Sequence, residues 1–150
     1  MRESSSKEIE LIDTSSSAFS KLIRFLYTGR IDLQFLDKDL VLDILRLAHR
    51  YGLDELVKLV SKFLNSTLNL RDVCKIYNHA YIFQLDELIT TTSDFIDHHA
   101  VDILSSEEFS NLSSDALTKL VSRNSFCANE LTIFRSVAQW LGCLITFGKC

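Results

Sequence analysis

Apolar side chains recur every three or four residues along most of this chain and alternate with polar ones only near its start. Lys7 to Ile12 alternates, which predicts a short strand with Ile9 and Leu11 on one face. Asp13, Thr14, Ser15 and Ser16 then offer N-cap side chains. A helix to about Tyr27 follows, with Phe19, Leu22, Ile23 and Leu26 as its apolar stripe and Gly29 placed to end it in a left-handed cap. Ile31 to Leu33 reads as a very short second strand.

A helix from about Lys38 to Tyr51 carries Leu40, Val41, Ile44, Leu45 and Ala48, and Gly52 ends it. Asp54 caps the next, which carries Leu56, Val57, Val60, Phe63 and Leu64. The short connection makes these two an antiparallel pair. Asn69 reads as a cap and a boundary. Beyond it come a helix from Leu70 to Tyr81 and another from Leu85 to His99. Ser105 to Glu108 has the pattern of a capping box, and Ser113 and Asn129 each start a further helix. The last carries Leu131, Phe134, Val137 and Trp140. Paired helices dominate, without a convincing tandem repeat.

With no proline and only four glycines, nothing forces a break inside a long helix, so polar caps and glycine must end each one. Hydrophobic residues make up 47% and charged residues 24%, enough apolar material for one compact domain or two small ones. The net charge of -4 gives no basic footprint for nucleic acid or for an anionic membrane surface. The polar start MRESSSKEIELID has no signal-peptide core. The longest apolar stretch, around Val137 to Phe147, falls short of a membrane span and is broken by Gln139 and Gly142.

Candidate chemistry is sparse. Cys74, Cys127, Cys143 and Cys150 form no CxxC pair and read as reduced thiols of an intracellular protein, with Cys74 and Cys127 as core fillers. His98 and His99 are adjacent and diverge on a helix, and His49 and His79 add no metal-ligand spacing, so no metal is expected. They fit a helix C-terminus, where positive charge is favoured. Glu107 and Glu108 sit where a helix start favours carboxylates. No nucleophile elbow, Cys-His signature or phosphate loop is present. No catalytic residue and no cofactor is expected.

FSKLIRFLYTGRIDL resembles the BTB/POZ pattern of a helix ending in Tyr-Thr-Gly (here Tyr27, Thr28 and Gly29) followed by a small strand. LVLDILRLAHRYGLDELVKLVSKFL resembles the closing helices of that domain, with Ala48, Tyr51, Leu53, Leu56 and Phe63 in place. From Asn69 the chain is similar to a BACK domain. The matching stretches are LNLRDVCKIYNHAYIFQLDEL, DFIDHHAVDILSSEEFSNLSSDAL and ANELTIFRSVAQW, in which Ser106, Glu108, Phe109, Leu112, Ser113, Leu117, Glu130, Phe134 and Trp140 fit. The resemblance covers nearly the whole chain up to Trp140. It implies a mainly α fold: the C-terminal half of a BTB/POZ domain over 1–68, a BACK domain of antiparallel helix pairs over 69–141 and a divergent tail over 142–150.

The resemblance also implies a cytoplasmic, non-catalytic adaptor joining substrate proteins to a cullin-3 ubiquitin ligase. The competing expectation is a scaffold or self-association module without a cullin link. In the family, cullin contacts use a hydrophobic-x-Glu motif, which Met1 and Glu3 match, and the first helix pair after BTB, where Tyr77, Tyr81 and Phe83 are aromatic anchors. The bland alternatives are an initiator Met beside solvated charge, and ordinary helix core. Relatives pair through a BTB-type homodimer. This chain starts after the half that carries the main dimer helix, so that pairing is in doubt here, and a fragment, truncated gene model or splice form is expected.

Overall fold

The structure, a computed structural model, describes residues 15–123, 125–126 and 128–147. The strand expected at Lys7 to Ile12 and the core role expected for Cys127 lie outside these residues. The described residues form eight α-helices and one 3-10 turn, without a strand, in two compact units that divide between Val60 and Ser61.

In the first unit, α1 (Ser16–Thr28) starts where the Ser15 Oγ accepts from the Ala18 N–H at 3.5 Å. Its buried line is Ala18, Leu22 and Phe25. This corrects the predicted stripe: Ile23 and Leu26 are 36% and 54% exposed. Both lines have helical spacing, and tertiary packing chooses the one carrying Phe25. Gly29 ends the helix at φ 66°, its N–H donating to the Phe25 carbonyl at 2.7 Å. The second strand expected at Ile31 to Leu33 does not form. Leu33 still buries its side chain, but the Asp32 carboxylate accepts from the Gln34 N–H at 3.2 Å and turns the backbone away from an extended path.

Helix α2 (Lys38–Arg50) is capped by Asp37, whose carboxylate accepts from the Lys38 N–H. It packs against α1 through a wide face that includes Val41, Leu42, Ile44 and Leu45. Helix α3 spans Asp54–Ser66, with Leu56 and Val60 fully buried in the first unit and Leu64 in the second.

Beyond α3, within the second unit, the chain turns at Asn69. Its Oδ1 accepts from the Asp72 N–H and its Nδ2 donates to the Asp72 carboxylate, both at 2.8 Å. That closed ring delays the next helix, predicted from Leu70, until Val73. Then follow α4 (Val73–Ile82), α5 (Asp86–His98), α6 (Ala100–Leu104), the 3-10 turn Glu107–Asn111, α7 (Ser114–Val121) and α8 (Glu130–Phe147). Ser113 caps α7 by accepting from the Ala116 N–H, and the Asn129 carboxamide accepts from the Leu131 N–H at the start of α8. The capping box expected at Ser105 to Glu108 is absent. The Ser105 and Ser106 hydroxyls instead donate back to the Val101 and Ile103 carbonyls, closing the end of α6.

The core of this unit gathers Val73, Cys74 and Tyr77 of α4 with Ile96, Ile103, Phe109, Leu120 and Trp140. Three bonds between residues far apart in sequence hold it in register. The Ser113 N–H donates to the Asn78 carboxamide at 3.1 Å, the Ser136 hydroxyl to the Leu104 carbonyl at 3.0 Å, and the Trp140 indole Nε1 to the Leu112 carbonyl at 3.1 Å. The last two are buried, where losing either partner leaves a stranded polar group and costs about 1–3 kcal/mol.

Two helix ends share a short local likeness, well below a tandem repeat. Ala48 to Leu56 reads AHRYGLDEL and Ala80 to Leu88 reads AYIFQLDEL. Both make the same turn. Leu53 donates to the Ala48 carbonyl and Gly52 to His49, while Leu85 donates to Ala80 and Gln84 to Tyr81. These are the paired bonds of a Schellman motif, which needs a left-handed residue. Gly52 supplies it at φ 67°; Gln84, exposed, is forced to φ 55°.

Two predictions follow from these geometries. Gln84→Gly removes the crowding of a Cβ at positive φ and is expected to stabilise the fold by about 1 kcal/mol, read as a raised thermal midpoint; a lowered midpoint would contradict the strain. Cys74 is fully buried, and burial first, with the Glu108 carboxylate second, pushes its thiol up to about 12. It should therefore resist alkylation in the native chain at mildly alkaline pH and label only on unfolding, as peptide mapping would show. Because the folded value lies above the unfolded one, the stability Cys74 contributes is complete below the ordinary thiol range and is lost as pH rises toward about 12.

Candidate functional site

The α4–α5 hairpin places the three aromatic residues singled out in the sequence in different settings. Tyr77 is 1% exposed and belongs to the core. Burial raises its hydroxyl pKa; Arg123 opposes that shift, while Tyr81 and Asp97 add to it. Tyr81, one turn on, is half-buried and stacks on Tyr77 with ring centroids 6.5 Å apart. Phe83 is half-buried at the end of α4 and meets the His79 ring at 6.0 Å. Tyr77 can thus support a surface but not form one, whereas Tyr81 and Phe83 both reach solvent. Met1 and Glu3 lie outside the described residues.

Tyr81 lines an open groove of about 810 Å³ with Ile82, Gln84, Asp86, Ile89, Ser113, Asp115 and Lys119. Its position follows from the turn. The left-handed Gln84 ends α4 and brings the α5 start, with Asp86, beside the α7 start, with Asp115; the bond from Ser113 to Asn78 holds α7 against α4. The wall is apolar at Tyr81, Ile82 and Ile89. Asp86, Asp115 and Lys119 add charge of both signs. Ile82 is 58% exposed and was missed in the sequence, although it sits inside the aromatic run. Gln84 carries no signal at all, since glutamine is ordinary on a surface.

Behind the groove, Arg123 reaches back to α5 and pairs with Asp97 at 3.1 Å and Asp94 at 3.5 Å. The Asp97 side chain is only 10% exposed, and one oxygen of Asp97 and one nitrogen of Arg123 are buried without a hydrogen-bond partner. Breaking such a pair strands a buried charge, so its role is to hold the α5 backbone in place rather than to react.

The first unit carries a second open surface. Lys21, Arg24, Arg30, Ile31, Asp32 and Phe35 line a groove of about 760 Å³. Phe35 and Tyr27 are 86% and 88% exposed. In the Tyr27-Thr28-Gly29 motif, Thr28 donates to the Arg24 carbonyl at 2.7 Å and accepts from the Arg30 N–H at 3.3 Å, so Thr28 and Gly29 build the turn and leave Tyr27 outward.

Neither surface brings together reactive groups. Among the described residues no set of three or more His, Cys, Asp or Glu side chains could hold a metal ion, and no helix is long and apolar enough to cross a membrane. His79, His98 and His99 each bond through Nδ1 to the carbonyl four residues back. Both grooves mix apolar and aromatic side chains with charged ones of both signs in similar measure.

Comparison with known proteins matches residues 1–68 to the BTB/POZ domain and residues 73–145 to BACK, "BTB And C-terminal Kelch". The chain is similar to BTB/POZ domain-containing protein 9 of Homo sapiens, with 40% identity over 141 residues, covering 93% of this chain and 23% of that protein. The Drosophila melanogaster protein of the same name is 34% identical over 140 residues, covering 93% and 19%. BTB/POZ domain-containing protein 6 of Mus musculus is 29% identical over 133 residues, covering 89% and 24%. The chain therefore spans about a quarter or less of the length of these relatives. The two domain matches in tandem, on a mainly α fold, identify the chain as a member of the BTB/POZ–BACK family of protein-interaction modules.

Proposed function

We propose that this chain is a non-catalytic adaptor segment that helps join substrate proteins to a cullin-3 ubiquitin ligase in the cytoplasm. The observation that carries the reading is the α4–α5 hairpin, the first helix pair after the BTB match, which presents Tyr81 and Ile82 on an open groove. In this reading Tyr81, Ile82 and Phe83 touch cullin, Tyr77 stacks beneath Tyr81 and positions it, and Met1 and Glu3 supply a separate hydrophobic-x-Glu contact. The domain division proposed with it is BTB over 1–68, BACK over 69–141 and a divergent tail over 142–150. The substrate would be bound by protein beyond this segment.

The test is a binding titration of the full chain against purified cullin-3. Ile82→Asp, at a position 58% exposed, is expected to cost roughly 2 kcal/mol, a fall in affinity of about thirty-fold, with circular dichroism as the fold control. A paired Met1→Ala and Glu3→Lys variant should weaken binding independently. Full binding by both variants would remove the assignment of these surfaces, and no binding by the parent chain would remove the cullin link itself.

A further inference from the structure

Helix α8 is apolar on two opposite faces. One face is used: Ile133, Ser136 and Trp140 turn toward the core, held by the bonds to Leu104 and Leu112. On the other, Leu131, Phe134 and Leu141 are 55%, 71% and 49% exposed, and Ala138 between them is exposed as well. A surface helix normally turns a polar face to water, so a second apolar face asks for a partner. The intervals 131, 134, 138, 141 are three, four and three, which lines the four side chains up along one strip of the helix, the arrangement of the a and d positions in a helix pair.

Charge selects which helix. With Leu131 and Ala138 at a and Phe134 and Leu141 at d, Glu130 occupies the preceding g position and Arg135 the following e position. Both are exposed and neither makes an ion pair within the described residues. In a parallel pair, g of one helix meets e of its partner five residues on, so Glu130 of one copy meets Arg135 of the other, twice by symmetry. An antiparallel pair that overlaps the same four seam residues, Leu131 opposite Leu141 and Phe134 opposite Ala138, sets Glu130 beside position 142 of the other copy and loses the Glu130–Arg135 pairing.

We propose that the outer face of α8 is a self-association surface, on which a second copy of this chain docks its own α8 in parallel through Leu131, Phe134, Ala138 and Leu141. The contact lies apart from the α4–α5 groove and does not rest on the cullin reading.

Sedimentation velocity of the full chain across the micromolar range tests it, with far-ultraviolet circular dichroism as the fold control. The parent chain should shift from monomer to dimer as concentration rises. Phe134→Glu should abolish the dimer in that range while leaving helicity unchanged. Glu130→Lys should weaken dimerisation roughly ten-fold by turning two attractions into repulsions. The exchange of both charges, Glu130→Lys with Arg135→Glu, should restore it. Should Phe134→Glu lose helicity, the charge variants still decide. A parent chain that stays monomeric overturns the proposal, as does a dimer indifferent to the charge variants, or one not restored by the exchange.

Discussion

An α-helix of L-residues continues until something diverts its backbone, and in a chain without proline that task falls, for three of the helices described, on single residues held at positive φ. Gly29, Gly52 and Gln84 end α1, α2 and α4 in this way. Each reversal releases carbonyls that must be bonded again. At Gly52 and Gln84 the residue's own N–H and that of the residue after it fold back to do so, which fixes the direction in which the following helix leaves. The α4–α5 hairpin owes its shape to such a turn, and the groove beside it exists because that turn stops α4 at Ile82.

The second constraint is on polar groups taken out of water. The Leu104 and Leu112 carbonyls lie at or beyond helix ends, where no intrahelical N–H is available, and α8 satisfies them through Ser136 and Trp140. This is why an 18-residue helix far along the chain settles on α6 and the 3-10 turn in one register. Apolar burial alone would tolerate sliding; two directional bonds one helical turn apart do not.

Much of this was legible in the residues. Gly29, Gly52, Ser113 and Asn129 act where their types predicted, because a missing Cβ or a short side-chain oxygen has a local effect that needs no tertiary context. The failures also have local causes. The Ser105 box lost to hydroxyl bonds back into α6. The α1 stripe had two acceptable lines, and only packing could choose. Gln84 was invisible because the left-handed turn is imposed by the surrounding LDEL and alanine positions, not by glutamine, and the Gly52/Gln84 difference hid the likeness at its most informative position. Among the site residues, Tyr77, Tyr81 and Phe83 were recognisable as an aromatic group, but helical spacing cannot say which of three such rings faces inward. Exposed Ile82 and the Asp86, Asp115 and Lys119 rim come from elements brought together only by the fold.

The bond between Trp140 and Leu112 also makes the chain its own reporter. Trp140 is the single tryptophan, and its indole is buried against the 3-10 turn. Intrinsic fluorescence therefore speaks for one joint alone, the seat of α8. Loosening that joint wets the indole and moves its emission to longer wavelength. Whether α8 rests firmly on its own unit can thus be followed optically, without a label.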